Sequence, residues 1–555
     1  MSRQIVAQFC HSVNTAIANR DALEIQSILL LEPPFPPVYQ DLIAELRNEY
    51  PPDEDESQDR LEEVIRHSVP ETAEGQDEEG RPVQNWTSMA SFLASWLTFI
   101  RDVDTTQLLK AYEAMSEVQQ RGNAALAHAT KGILVLPTLL RYAQVFARLA
   151  VGLDREPELA QGLLATTNTE GRSESLAERA VNIIQKGLLT CLNDRNTVPG
   201  GIKDDRPDGK KIGVYKIANV CLKILFRSDK LDNCSTIFQN ISTASPPLHF
   251  YPPADRVTYL YYLGRYHFIS NNFYQAQIVL QQAYQDAPVH PSVLTQRRLI
   301  LLYLLVANLI LGRFPSEQVY SRPEAEHFRE IFHPITETIR KGDLASFQQM
   351  MNLDLSWPYA AKLCKWKVFY QIGNRCEILV YRSLYRKVFL LAGRQPGPFE
   401  KVPPSLDLNA VVVAAAFLEK RASASSAMPQ SNGFTFDQQS LPTPPAYIDP
   451  DFEGMEGIEP YVHQFDIDEI ELLCASLINE GFISGYISPK LKKLAILGAK
   501  KATSAARAGF PNVWQVLSTK KREQAGGDEV EGWVKTQSTG GGKVVKLTNV
   551  RPAGA

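Results

Sequence analysis

The sequence predicts a mainly α-helical protein in which an irregular array of helix pairs is followed by a C-terminal winged helix. Three observations predict it. Apolar residues recur at helical spacing through most of residues 86–395. Within that run one stretch carries the offsets of a known helix–turn–helix repeat, and residues 466–497 read as an amphipathic helix followed by two short strands.

The chain has 555 residues, of which 44% are hydrophobic and 22% charged, ordinary values for a soluble globular protein with two to four domains. Its net charge of −4 hides a polarity. Asp41–Gly80 holds 15 acidic and 3 basic residues, whereas Ser484–Ala555 holds 13 basic and 4 acidic. The C-terminal part is therefore expected to seek an anionic partner.

Residues 1–50 read as an N-terminal helical segment, interrupted by Pro33, Pro34, Pro36 and Pro37, which have no N–H to donate. Residues 51–85 are acidic and poor in aromatics, the composition of a mobile linker. Residues 86–210 form an N-terminal helical region, with periodicity at Trp86–Ile100, Thr105–Ala127, Lys131–Gly152 and Ser175–Leu192 and a loop of turn formers at Asn196–Gly209.

Residues 211–395 are the repeat array. Leu260, Leu263, Gly264, His267, Ala276, Leu280, Ala283 and Pro288 fall on the signature offsets of a 34-residue tetratricopeptide repeat, with Leu260 and His267 in place of aromatics. Gly264 and Ala276 are small where two helices would cross, Asn271 and Asn272 make the turn, and Pro288 stops the second helix. Flanking pairs are degenerate: Lys216–Phe226 with Leu231–Ile241 on the N-terminal side, and Arg297–Leu311 with the chain from Ser316 on the C-terminal side. Each pair leaves an apolar face that a neighbour must cover. Helices are expected to continue at Asp343–Met351, Tyr359–Gln371 and Asn374–Leu391.

Residues 407–499 are read as the winged helix, with Asp407–Arg421 and Asp466–Gly481 as its helices and a flexible insertion at 422–460. Strands at 482–488 and 493–497 flank a turn at Pro489-Lys490. Residues 500–555 read as a basic, mostly disordered tail in which Phe510–Leu517 could dock around Trp514.

Signatures of catalysis are missing. There is no HExxH, no GxSxG and no phosphate loop after a strand; Gly540-Gly-Gly-Lys543 lacks the leading glycine and the following Ser or Thr. The seven cysteines include no CxxC, His327 and His333 have no second metal pair, and no cofactor or metal is expected. The N-terminus has no signal-peptide pattern, and the most apolar run, Leu299–Leu311, is too short to span a bilayer, so no membrane insertion is expected.

Basic residues carry the functional hint. Lys490, Lys492 and Lys493 sit at the wing, with Lys500 and Lys501 just after, placed to meet phosphates or to form a solvated rim or a dock for an acidic segment. Arg375, Arg382 and Arg386 make one stripe of a helix; such arginines contact anions but also bridge repeats. Lys520-Lys-Arg522 is too short a run to define a nuclear import signal.

Several segments together resemble the PCI-domain family shared by proteasome-lid, signalosome and initiation-factor subunits. They are Leu260-Tyr-Tyr-Leu-Gly-Arg265 with Tyr274-Gln-Ala-Gln-Ile278, Arg298–Leu305, Tyr381-Arg-Ser-Leu-Tyr-Arg-Lys387, and Asp466-Ile-Asp-Glu-Ile470 through Gly485-Tyr-Ile-Ser488. Within the family the likeness is to the Thp-type branch of the TREX-2 transcription-and-export complex, with signalosome subunit-12-like proteins close by. The resemblance implies a non-catalytic scaffold with two partners, a large PCI-bearing (Sac-type) subunit and a small acidic, disordered (Sem-type) subunit. It also implies RNA or DNA contact through the winged helix at Lys490, Lys492 and Lys493, and a nuclear, pore-associated location. A subunit of a COP9-signalosome-like assembly without nucleic-acid contact is the alternative.

Overall fold

The computed structural model describes residues 4–32, 34–52, 57–72, 75–76, 82–83, 85–104, 106–156, 175–396, 402–426, 446–447, 455, 457, 461–462, 465–499, 504–525, 530 and 532–533. They are mainly helical. The chain divides into two compact units, Met1–Tyr266 with Glu529–Ala555, and His267–Asp528.

The first unit contains α1 (Gln4–Ala18), α2 (Ala22–Ile28), α3 (Pro37–Glu49), α4 (Ser57–Ser68), α5 (Thr87–Asp102), α6 (Leu108–Ala127), α7 (Leu136–Leu153), α8 (Leu176–Leu192), α9 (Val214–Arg227) and α10 (Cys234–Ala244). Helix α3 opens on Pro37, where a missing N–H costs nothing. Helix α8 opens on a capping box: Ser175 accepts from the Glu178 N–H, and Glu178 reaches back to the Ser175 N–H at 3.0 Å. The core is aromatic. Trp86, Trp96, Phe92, Tyr142 and Phe146 are fully buried, and the Trp86 indole donates to the Ala125 carbonyl at 2.9 Å, so its polar edge is satisfied.

Helix α4 corrects the sequence reading of 51–85 as a linker. Leu61 and Ile65, one turn apart, are buried and pin an otherwise acidic helix to the core. The stripe is too narrow to show through the acidic composition.

Helix α11 (Pro253–Ile269) carries the division between the units. It ends in the expected turn: Asn271 takes a left-handed φ of 60°, and the Asn272 N–H bonds the His267 carbonyl at 2.8 Å. Of the signature positions, Leu260, Leu263, Ala276, Leu280 and Ala283 are buried.

The second unit continues with α12 (Phe273–Asp286), α13 (Leu294–Ile310), α14 (Glu317–Tyr320), α15 (Phe328–Lys341), α16 (Leu344–Met350), α17 (Ala360–Lys365), α18 (Phe369–Ala392), α19 (Leu408–Ser426), α20 (Ile467–Asn479), α21 (Ala505–Gly509) and α22 (Val513–Ala525). The sequence places a helix break near Gly373, but that residue lies inside α18, where an added Cβ would come no closer than 3.7 Å to its nearest neighbour, Met351. The break falls instead at Lys367, which has a left-handed φ of 57°. Helices α21 and α22 lie within residues 500–555, most of which are outside the described residues. Trp514 docks there, 5.9 Å from the Tyr274 ring and under the Arg313 guanidinium at 4.6 Å.

A buried ion pair ties together helices of this unit. Arg297 of α13 holds Glu324 at 3.1 Å through both Nε and Nη2, and donates to the Ala287 carbonyl at 2.6 Å. Tyr284 also donates to Glu324, and Arg322 donates to the Tyr284 hydroxyl at 2.7 Å. Burial alone would raise the Glu324 pKa; the Tyr284 and Arg297 hydrogen bonds hold it below the usual carboxylate value.

After α18 come strand β1 (Ser405–Asp407), helices α19 and α20, and strands β2 (Gly485–Ser488) and β3 (Lys493–Ile496). The strands form one antiparallel sheet in the order β1-β3-β2, with Leu494 opposite both Leu406 and Ile487. Strand β1 does not show in the sequence because three residues are too few to display alternation. Two-residue pairings also join Gly75–Gln76 to Pro82–Val83, Ile202–Lys203 to Arg206–Pro207, and Ala446–Tyr447 to Tyr461–Val462. The last lies within or beside the expected insertion 422–460, into which α19 runs as far as Ser426; most of that insertion is outside the described residues.

Two helical stretches, Gly132–Leu153 and Pro291–Ile310, are long and apolar enough to cross a bilayer by length and composition. More than half of each is buried inside the protein, as in ordinary core helices.

Candidate nucleic-acid interface

Helix α20 leads into the β2–β3 hairpin, the wing of the sequence reading. Asp466 caps it, accepting from the Glu469 N–H at 2.6 Å, and Ile470, Cys474 and Leu477 turn one face inward. Asp468, Leu472, Ala475 and Asn479 lie exposed on the other face. Gly481 ends the helix with φ of 80°, and the Lys520 ammonium donates to the Glu480 carbonyl at 2.8 Å, a cation on a helix C-terminus.

The three wing lysines are not equivalent. Lys490, in the turn after β2, and Lys493, at the start of β3, are exposed and have no ion-pair partner among the described residues. Lys492 is different. It adopts a left-handed φ of 48°, its carbonyl accepts from the Leu408 N–H, and its ammonium bonds Asp468 at 3.0 Å and Glu471 at 3.1 Å. Those two carboxylates raise its pKa above the usual lysine value. Its charge is spent inside the fold.

The helix stripe also divides. Arg382 donates to the carbonyls of Phe510 at 3.1 Å and Pro511 at 2.5 Å, clamping the segment before α22 onto α18. Burial first, then the neighbouring Arg386, lowers its pKa to about 10. Arg386 is exposed and without an ion-pair partner among the described residues. Lys500 and Lys501 lie outside the described residues.

Three of the expected cations, Lys490, Lys493 and Arg386, therefore remain open to an anion. The acids that sequence reasoning overlooked are Asp468 and Glu471, whose spacing of three places them on one helix face. Helix α20 contains no Lys or Arg. Laid in a nucleic-acid groove it would bring carboxylates toward phosphates, which disfavours base reading by this helix.

Among the described residues no group of three or more His, Cys, Asp or Glu could hold a metal ion. The cysteines are free, and burial pushes the thiols of Cys191, Cys221, Cys234 and Cys474 up to about 12, far from thiolate character at neutral pH.

No family profile matches the chain. Individual relatives do. A PCI domain-containing protein of Schizosaccharomyces pombe is 23% identical over 415 residues, covering 74% of this chain and 78% of that one. PCI domain-containing protein 2 of Xenopus laevis is 24% identical over 327 residues, covering 59% of this chain and 64% of the relative, just under two thirds of its length. A CSN12 homolog of Mycosarcoma maydis is 24% identical over 406 residues, with 72% and 76% covered. These relatives support the PCI-domain family for this mainly helical chain.

Proposed function

We propose that this protein is a non-catalytic scaffold subunit of a PCI-type complex, and specifically the Thp-type subunit (PCI domain-containing protein 2) of TREX-2. In this reading residues 211–395 are a tetratricopeptide-like array that docks partner subunits, and 407–499 are a winged helix. The observation that supports it best is the path helix α18, strand β1, helices α19 and α20, strands β2 and β3 with strand order β1-β3-β2, the arrangement that the winged-helix reading calls for. Relatives named for the PCI domain supply the second support. The partners would be a large PCI-bearing Sac-type subunit and a small acidic Sem-type subunit, at the nuclear pore, where the complex couples transcription to messenger RNA export. RNA or DNA phosphates would meet Lys490, Lys493 and Arg386.

The second reading is a PCI subunit of a COP9-signalosome-like assembly, without nucleic-acid contact. The anionic helix α20 and the CSN12 homolog favour it. Affinity purification separates the two. Recovery of export-complex subunits supports TREX-2, and recovery of signalosome subunits alone overturns it.

A further inference from the structure

The C-terminal chain re-enters the first unit. Helix α22 belongs to the second unit, whereas Glu529–Ala555 group with the first. Of that stretch Val530, Gly532 and Trp533 are described. They belong to a tight turn. The Trp533 N–H bonds the Val530 carbonyl at 3.0 Å, and Gly532 takes the third position with φ of 75°, a left-handed backbone that glycine adopts freely.

The surface that receives it comes from the chain between α10 and α11 and from the first turn of α11. Pro246 and Pro247 have no N–H, so Leu248, opening a single 3₁₀ turn (Leu248–Phe250), offers the first backbone donor after Ser245. Leu248 is fully buried, and its N–H bonds the Gly532 carbonyl at 2.9 Å. The next residue, His249, brings Nδ1 to 2.7 Å from the Trp533 carbonyl; a carbonyl only accepts, so Nδ1 carries the proton. Arg256 lies over the Trp533 ring at 5.5 Å and donates to the His249 carbonyl at 2.7 Å. Two successive carbonyls of the C-terminal segment thus meet donors from two successive residues, and the ring meets a cation.

We infer that Val530–Trp533 is a detachable clip, an intramolecular peptide ligand that the chain carries for its own first unit. Leu248 and His249 fix its register, and the cation of Arg256 selects an aromatic ring. The clip is small. Two hydrogen bonds and one half-buried ring hold it, so opening it costs far less than unfolding the unit. Tethering supplies the rest, since a segment joined to its receptor through the chain is present at a local concentration on the order of millimolar. Opening leaves the Leu248 N–H without its acceptor, a cost that favours reclosure. It also frees from its anchor the chain beyond Trp533, which carries Lys535, Lys543, Lys546 and Arg551. The clip therefore couples the reach of this basic tail to a surface of the first unit. None of this depends on which complex the chain joins.

The test is hydrogen exchange of the full chain, read by mass spectrometry over peptides that contain Leu248 and Trp533. Wild type should protect the Leu248 amide. Trp533→Ala should raise exchange over 248–251 and 530–533 together by about tenfold, with an unchanged circular-dichroism melt. Gly532→Ala is the second variant. Its added Cβ would meet nothing within 4 Å, so it disturbs only the backbone of the turn, and it should raise exchange in both segments. A synthetic peptide of residues 527–536 at about millimolar concentration should restore protection of 248–251 in the Trp533→Ala variant. An unprotected Leu248 in wild type, unchanged exchange in both variants, or a rise confined to 530–533 would each overturn the clip. A melt lowered by Trp533→Ala would make the segment part of the core, and failure of the peptide to restore protection would remove its character as a ligand. Protection that falls on dilution would place the segment on a second copy and overturn the intramolecular assignment.

Discussion

The wing and the N-terminal groove are both cationic in sequence, yet they differ in how their charges are answered. At the wing, Lys492 is claimed by Asp468 and Glu471, and on the neighbouring stripe Arg382 is claimed by two carbonyls. In the groove between α7 and α9, Glu32 answers Arg141 and Arg148 and Asp255 attracts Lys216, while Lys223 and Arg227 have no ion-pair partner among the described residues. Counting basic residues therefore overstates the wing and understates the groove. What decides a surface is the number of cations left after the fold has satisfied its own acceptors.

The sharpest way to probe that contrast is to remove a cation wholly committed to the fold. Arg297→Ala would leave Glu324 buried without its counter-charge, and a loss of about 3–5 kcal/mol of stability is expected in urea titration. A loss below about 1 kcal/mol would mean that the pair is solvated.

Arg382→Ala should cost less, about 2–3 kcal/mol, since two carbonyls lose a charged donor. Hydrogen exchange should rise in residues 505–525. A variant with native stability but weakened nucleic-acid binding would return Arg382 to the interface.

A third test uses pH. Burial depresses the His267 pKa to about 4, so from the ordinary value of about 6.5 downward the unfolded chain binds the proton and the folded chain does not. Stability contributed by neutral His267 is thus full above pH 6.5 and falls as pH drops toward 4, by about 2 kcal/mol at pH 5. His267→Tyr, which restores the aromatic of the repeat signature, should remove that part of the pH dependence.

The smallest effects belong to the wing itself. Lys490→Ala with Lys493→Ala should flatten the log–log salt dependence of nucleic-acid binding by about 1.5 units. Lys492→Ala should change it by well under one unit, because that charge is already compensated. Equal effects of the three lysines would contradict the distinction.

Helix periodicity made most of the fold legible: Ser175–Leu192, the Asn271-Asn272 turn and the capped helix after Asp466 all lie where spacing and caps placed them. Short or disguised elements were not legible. Strand β1 has three residues, α4 hides its buried pair in acidic sequence, and the break at Lys367 carries no Gly or Pro. Of the site, residue types could be read but their partners could not. Asp468 and Glu471 precede Lys492 by 24 and 21 residues, a tertiary pairing that no local pattern announces. The groove cations had a readable seven-residue spacing on two helices, but only packing of α7 beside α9 turns two stripes into one surface.

Whether this chain is a scaffold of an export-type PCI complex is tested most directly by affinity purification from native cell extract, with the bound proteins identified by mass spectrometry. The expected result is stoichiometric recovery of a large PCI-bearing subunit and a small acidic subunit of the export complex. Recovery of signalosome subunits alone, or of no stable partner, would contradict it.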